Sequence, residues 1–175
     1  LGYHQSRWGY CCEEDVRGIA ENMRKHKIPC DAVHLDIDYM RGYRVFTVDK
    51  EKFPDIRGLT EDMGRMGMRL VTIIDPGVKK DAGYAVYDEG VEKGYFAKTP
   101  EGEIYENVVW PGAAVYPDFG REEVRKWWGE NHRYLVENGI AGIWNDMNEP
   151  ASFNGELPED VVFFEEERKT CHSEV

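Results

Sequence analysis

The chain has 175 residues, 41% hydrophobic and 32% charged, which is a globular rather than disordered balance with enough length for a sizeable core. Its 34 acids against 22 lysines and arginines give a formal charge of -12, which argues against nucleic acid or an anionic membrane as partner and suits a neutral ligand. No run of about 18 apolar residues occurs, so no transmembrane helix is expected, and no secretory leader is legible at Leu1.

In chain order the pattern alternates strand and helix. Residues 1–8 predict a strand running into a loop, and residues 13–27 a helix with Val16, Ile19, Ala20 and Met23 at helical spacing, stopped by Pro29. Residues 31–38 predict a second strand, whose Ala32, Val33, Leu35 and Ile37 form the near-continuous apolar run of a strand covered on both faces. A shorter helix is expected over 59–66, with Gly67 as its stop, and a third strand over 69–75, ended by Pro76-Gly77. Residues 76–120 are irregular and aromatic, read as a loop or small subdomain inserted after strand 3, with a hairpin turn at 99–103. Residues 122–137 predict a helix with Val124, Trp127, Trp128 and Leu135 on one side, and 140–146 a fourth strand after Asn138-Gly139. An acidic segment, 156–167, surrounds Val161 to Phe164, and no closing element is legible after it.

Strand and helix in this alternation imply parallel strands with right-handed crossovers. A doubly wound sheet and a (β/α)8 barrel both satisfy that order. Asp36, Asp38, Asp75 and Asp146 all fall at the C-terminal ends of predicted strands, the end on which barrels assemble their active sites. No Gly-x-Gly-x-x-Gly follows the first strand, which disfavours a nucleotide-binding sheet. The fold expected is therefore α/β, a partial (β/α)8 TIM barrel. A full barrel takes about 250 residues, so residues 1–175 read as an incomplete barrel domain of about four βα units. The remainder of the barrel is expected in the same or another chain. The four cysteines, Cys11, Cys12, Cys30 and Cys171, show no metal-ligand spacing and read as free thiols. With no leader legible, they give a cytoplasmic expectation.

Asp146 closes a short apolar strand beside Trp144 and the amides Asn145 and Asn148. Taken alone, a strand-end aspartate reads equally as a turn former or helix cap. The whole stretch Gly142-Ile143-Trp144-Asn145-Asp146-Met147-Asn148-Glu149-Pro150 resembles the nucleophile signature of glycoside hydrolase family 31, the retaining α-glucosidases and α-xylosidases. Four further segments resemble that family in order: Leu1 to Trp8 its first barrel strand, His34 to Met40 its second-strand sugar-binding motif, Ile73-Ile74-Asp75-Pro76 its third-strand end, and Val109 to Gly112 with Tyr116 to Phe119 the segment before its fourth helical layer.

The resemblance implies that Asp146 is the nucleophile forming a covalent glycosyl ester, on a terminal non-reducing α-linked glucose of a small oligosaccharide or α-glucoside. It implies that Asp36 grips hydroxyls of the sugar, with Ile37, Ile73, Trp110, Trp144 and Met147 as apolar walls. Ile37 and Ile73 read equally well as plain core. Asp75 is a candidate for hydrogen bonding within the site, Asp38 for tying down a neighbouring loop, and Glu149 for a supporting role. His34 reads as a structural histidine facing away from Leu35, with His4 and Arg7 as outer support. Retaining glycosidases need a second carboxyl about 5–5.5 Å from the nucleophile. In the resembled family it comes from a later strand, absent here with the later arginine and histidine of the sugar subsite and the flanking β domains. An inert half-barrel and an α-xylosidase are therefore the alternatives to the α-glucosidase reading. This chemistry asks for no cofactor, and no motif asks for a metal.

Overall fold

Apolar runs with few breaks fold here into parallel strands, and the helices between them supply the cover. The computed structural model describes residues 2–165 and 168–170. In chain order its elements are β1 (His4–Arg7), α1 (Glu13–Lys25), β2 (Ala32–Leu35), two 3-10 turns (Ile37–Tyr39 and Arg41–Tyr43), α2 (Ile56–Arg65), β3 (Arg69–Ile74), β4 (Val78–Lys79), α3 (Ala85–Glu92), β5 (Glu106–Val109), β6 (Gly112–Val115), α4 (Glu122–Asn131), α5 (Arg133–Glu137), β7 (Gly142–Asn145), β8 (Phe163–Glu165) and β9 (Arg168–Thr170). They divide into two units, Leu1–Ile74 with Arg133–Asn145, and Asp75–His132 with Asp146–Val175.

The first unit holds a four-stranded sheet in the order β1-β2-β3-β7, with every neighbouring pair parallel. This is the partial-barrel order that the alternation predicts. Ser6, His34, Val71 and Gly142 are register partners in one row, and Ile73 pairs with Trp144 in the next row on the same face. The opposite face carries Val33, Leu35, Leu70 and Ile74, all buried, with Val16 and Ala20 of α1, Ile56, Leu59 and Met63 of α2 and Leu135 of α5 also buried. Each such large aliphatic side chain contributes roughly 2 kcal/mol by leaving water. Helix α1 has Glu13, Glu14 and Asp15 in its first turn and Arg24 and Lys25 in its last, the polarity that complements a helix dipole. The Arg24 guanidinium donates to the carbonyls of Cys30 and Met66 at 2.9 and 2.8 Å, tying the end of α1 to the turn before β3.

Several boundaries differ from the sequence pattern, and three of them have a clear local reason. Helix α2 begins at Ile56 rather than 59 because Asp55 caps it, accepting from the Gly58 N–H at 2.9 Å. Strand β2 stops at Leu35, because the Asp36 carboxylate accepts the Ile37 N–H at 2.7 Å and starts a 3-10 turn. Asp38 therefore lies in that turn and not at a strand end. The helix expected over 122–137 is divided at His132. There the His132 N–H bonds to the Gly129 carbonyl at 3.2 Å, and the Asn131 and His132 side chains engage the Trp127 and Trp128 carbonyls.

The second unit carries an antiparallel sheet in the order β4-β6-β5 and the antiparallel pair β8-β9. Ala97, Tyr105, Tyr116, Leu157, Val161 and Phe163 form its core cluster. The turn at 99–103 closes as its sequence predicts, with the Gly102 N–H on the Thr99 carbonyl at 2.9 Å and Gly102 at φ +92°. Gly90 of α3 lies against the Phe96 ring, where a Cβ would come within 2.3 Å of Cζ. Trp127 packs on the Tyr95 and Phe96 rings and donates from Nε1 to Glu89 at 3.0 Å. Cys11, Cys12 and Cys30 are unbridged. Cys171 and the end of the acidic segment lie outside the described residues. Among the described residues no helix is long and apolar enough to cross a membrane.

Candidate active site

The four parallel strands end at Arg7, Leu35, Ile74 and Asn145. The residues that follow them are Trp8, Asp36, Asp75 and Asp146, so three of the four strand ends release a carboxylate. In the first unit, half-buried Asp36 spends one acceptor site on the Ile37 N–H. The next turn is pinned by buried Tyr39, whose hydroxyl donates to the Ile73 carbonyl at 2.8 Å and so ties the end of β2 to β3. Ile37 and Ile73 are both only 2% exposed, the burial of core side chains. Asp38 accepts from the Tyr43 hydroxyl at 3.3 Å, a bond that holds the following loop. Trp144 is half-buried and meets the His34 ring at 6.1 Å between centroids. His34 faces away from Leu35, and its Nε2 lies 3.1 Å from Nδ1 of His4. Burial, and then the charge of His4, hold the His34 pKa below its ordinary value. Arg7 is exposed at the end of β1.

In the second unit, Asp75 is buried at 6% exposure. The chain passes from it through Gly77, where a Cβ would meet Val109 Cγ2 at 2.6 Å. Trp110 stands at the β5–β6 turn, 39% exposed. The Phe153 ring meets it edge-on at 4.9 Å, and the Phe153 N–H donates to the Val108 carbonyl at 2.8 Å. Phe153, unlike Trp110, escapes the sequence reading, since nothing near it in the chain points to Trp110. Asp146 and Met147 are half-buried and Glu149 is exposed. Met147 adopts φ +59°, a conformation uncommon for a residue with a side chain. The turn closes with the Ala151 N–H on the Met147 carbonyl at 3.0 Å. Tyr116 then donates to the Ala151 carbonyl at 3.0 Å. Burial, with a smaller contribution from Tyr105, pushes the Tyr116 phenol up to about 12. Among the described residues no group of three or more His, Cys, Asp or Glu is placed to hold a metal ion.

A family model described as the glycosyl hydrolases family 31 TIM-barrel domain matches residues 1–175. Alpha-glucosidase 2 of Bacillus thermoamyloliquefaciens is 51% identical over 161 residues, covering 92% of this chain and 20% of that protein. Neutral alpha-glucosidase AB of Homo sapiens is 44% identical over 158 residues, covering 89% of this chain and 17% of that protein. Among solved structures, a glucosidase II alpha subunit described as alpha3-Glc2-bound superposes with a TM-score of 0.88 at 39% identity, covering 93% of this chain and 18% of that one. The chain thus spans about a fifth of the length of the curated relatives it matches.

Proposed function

The chain belongs to glycosyl hydrolase family 31, and from that premise we propose that it is the nucleophile-bearing part of a retaining α-glucosidase. The reaction is hydrolysis of terminal, non-reducing α-linked glucose from a small oligosaccharide or α-glucoside. The observation that carries the reading is that Asp36, Asp75 and Asp146 are each the first residue past a parallel strand, the strand end at which barrel enzymes present their catalytic groups. The relatives named as α-glucosidases support the substrate class.

In this reading an Asp146 carboxylate oxygen attacks the anomeric carbon while the glycosidic oxygen leaves with a proton from an acid/base carboxyl. Water then cleaves the glycosyl ester, and two inversions give net retention. The acid/base group is assigned to the remainder of the barrel, because no carboxylate of this chain matches its motif. Asp36 is the carboxylate that takes hydroxyls of the bound sugar, through charge-assisted hydrogen bonds. Trp110, Trp144 and Met147 serve as apolar walls, and Phe153 extends the wall that Trp110 begins. For Ile37 and Ile73 the 2% exposure favours plain core over a wall, while Glu149 and Asp75 serve as hydrogen-bonding support. Residues 76–120 act as the inserted subdomain that carries Trp110. The unbridged Cys11, Cys12 and Cys30 support a reducing, cytoplasmic compartment.

The test is made on the whole protein that contains this chain. Asp146→Asn is expected to lower kcat on an aryl α-glucoside by at least about a thousandfold, the scale of losing a nucleophile. A fluorinated glucosyl fluoride is expected to leave a hexosyl adduct on the Asp146 peptide by mass spectrometry. Near-normal turnover of the variant, or an adduct elsewhere, overturns the assignment.

A further inference from the structure

One run of rings in the first unit joins Trp144 to two histidines that have no part in the chemistry above. His4 of β1 and His34 of β2 stand on the same sheet face, their ring centroids 5.3 Å apart and their facing nitrogens 3.1 Å apart. The next ring is Trp144 of β7, 6.1 Å from His34 and inclined at 61°. In the row of His34, β3 and β7 contribute only Val71 and Gly142, side chains small enough for the two larger rings to meet. A Cβ on residue 142 would already touch Val71 at 3.4 Å. The run therefore reaches continuously from β1 to β7.

Of the three rings Trp144 lies nearest the candidate nucleophile in the chain, two residues before Asp146. Edge-to-face contact fixes a ring through its quadrupole as well as its area. We propose that His34, itself fixed by His4, is a positioning residue that holds the Trp144 indole in place as a wall of the glucose pocket. This rests on the glucosidase reading and deepens it.

The histidine pair also gives the brace a pH dependence. A hydrogen bond between two imidazoles needs one N–H and one free lone pair at the facing nitrogens. It survives while either ring is neutral and breaks when both are protonated. Burial and the charge of His4 lower the His34 pKa and favour its neutral ring, which moves the break toward more acid pH. The titratable and charged groups on this face are His4 from β1, Asp36 just past β2 and Arg69 at the start of β3, while Gly142–Asn145 adds none.

The experiment compares wild type, His34→Ala and His34→Phe in the whole protein. It measures Kd for D-glucose by calorimetry, and KM and kcat on an aryl α-glucoside, from about pH 4.5 to about 8, the span of histidine titration. His34→Ala is expected to weaken glucose binding and raise KM by roughly tenfold, the scale of one lost ring contact, with a smaller change in kcat. His34→Phe keeps a ring against Trp144 but cannot bond to His4. It is expected within about threefold of wild type near neutral pH, without the acid-side loss of affinity that wild type shows. Wild-type Kd and an unchanged pH profile in His34→Ala overturn the inference, as does a Phe variant no better than Ala. If the Ala variant does not fold, the Phe profile decides alone, an unchanged acid limb overturning the inference. A wild type that neither binds glucose nor hydrolyses the glucoside overturns the glucosidase reading and this inference with it. Wild-type binding beside an unaffected His34→Ala overturns this inference alone.

Discussion

Tyr116 controls how firmly the segment after Asp146 is held. Its hydroxyl is the donor to the Ala151 carbonyl, and a phenol pushed up to about 12 keeps its proton through all ordinary conditions. Tyr116→Phe is expected to lose about 1 kcal/mol in denaturant unfolding, the net worth of one such bond. The sign of the pH effect follows from the raised pKa. The contribution of Tyr116 is complete below its unfolded value of 10.0 and is lost as pH rises toward 12. Tyr116→Phe is therefore expected to flatten the alkaline limb of a stability–pH curve, and an unchanged limb would remove Tyr116 from this role. Single residues of this kind are only partly legible in a sequence. Asp146 stands out because an apolar run ends on it, and Asp36 because it is a carboxylate set inside one. Phe153 does not, because its place depends on a backbone bond to β5 that no local pattern encodes.

At the scale of elements, caps and breaks decide where periodic patterns stop. The apolar spacing of α2 is visible from Leu59 onward, yet the helix begins at Ile56. The signal for that start is Asp55, a capping residue type directly before the first helical position. Removing the cap by Asp55→Ala is expected to cost about 1 kcal/mol in unfolding experiments. A neutral result would mean that the Gly58 N–H finds another acceptor. The Asp55 backbone N–H also donates to Glu13 at 2.7 Å, a bond that alanine keeps, so the loss reports the side chain alone. Strand β2 shows the opposite case. Its apolar run continues through Ile37, and the chain turns at Asp36 because a carboxylate–amide bond competes with the ladder. Periodicity counts apolar positions and is blind to that competition. The division of 122–137 at His132 is of the same kind, since side chains of Asn131 and His132 engage carbonyls of the preceding turn.

At the scale of the molecule, the strand order of the first sheet follows the chain, which is why alternation alone reveals it. The sheet β4-β6-β5 is hidden from that reading because its strands are short, one of them only Val78–Lys79, and are set among charged residues. The first sheet also has two unequal margins. Strand β1 presents His4, Gln5, Ser6 and Arg7, while β7 presents Ile143 and Trp144. Polar and charged side chains on a margin discourage strand addition, and apolar ones invite it. For the 175-residue polypeptide taken alone the β7 margin is therefore expected to be adhesive, with the charge of -12 opposing association. Raising the salt from about 0.01 M to about 1 M shortens the screening length from about 30 Å to about 3 Å. Light scattering is expected to rise over that range, and Ile143→Lys is expected to suppress the rise. Scattering indifferent to salt would show that the β7 margin is not adhesive. The strand that carries Trp144 is then also the place where purification and storage of this segment are expected to succeed or fail, with low ionic strength as the favouring condition.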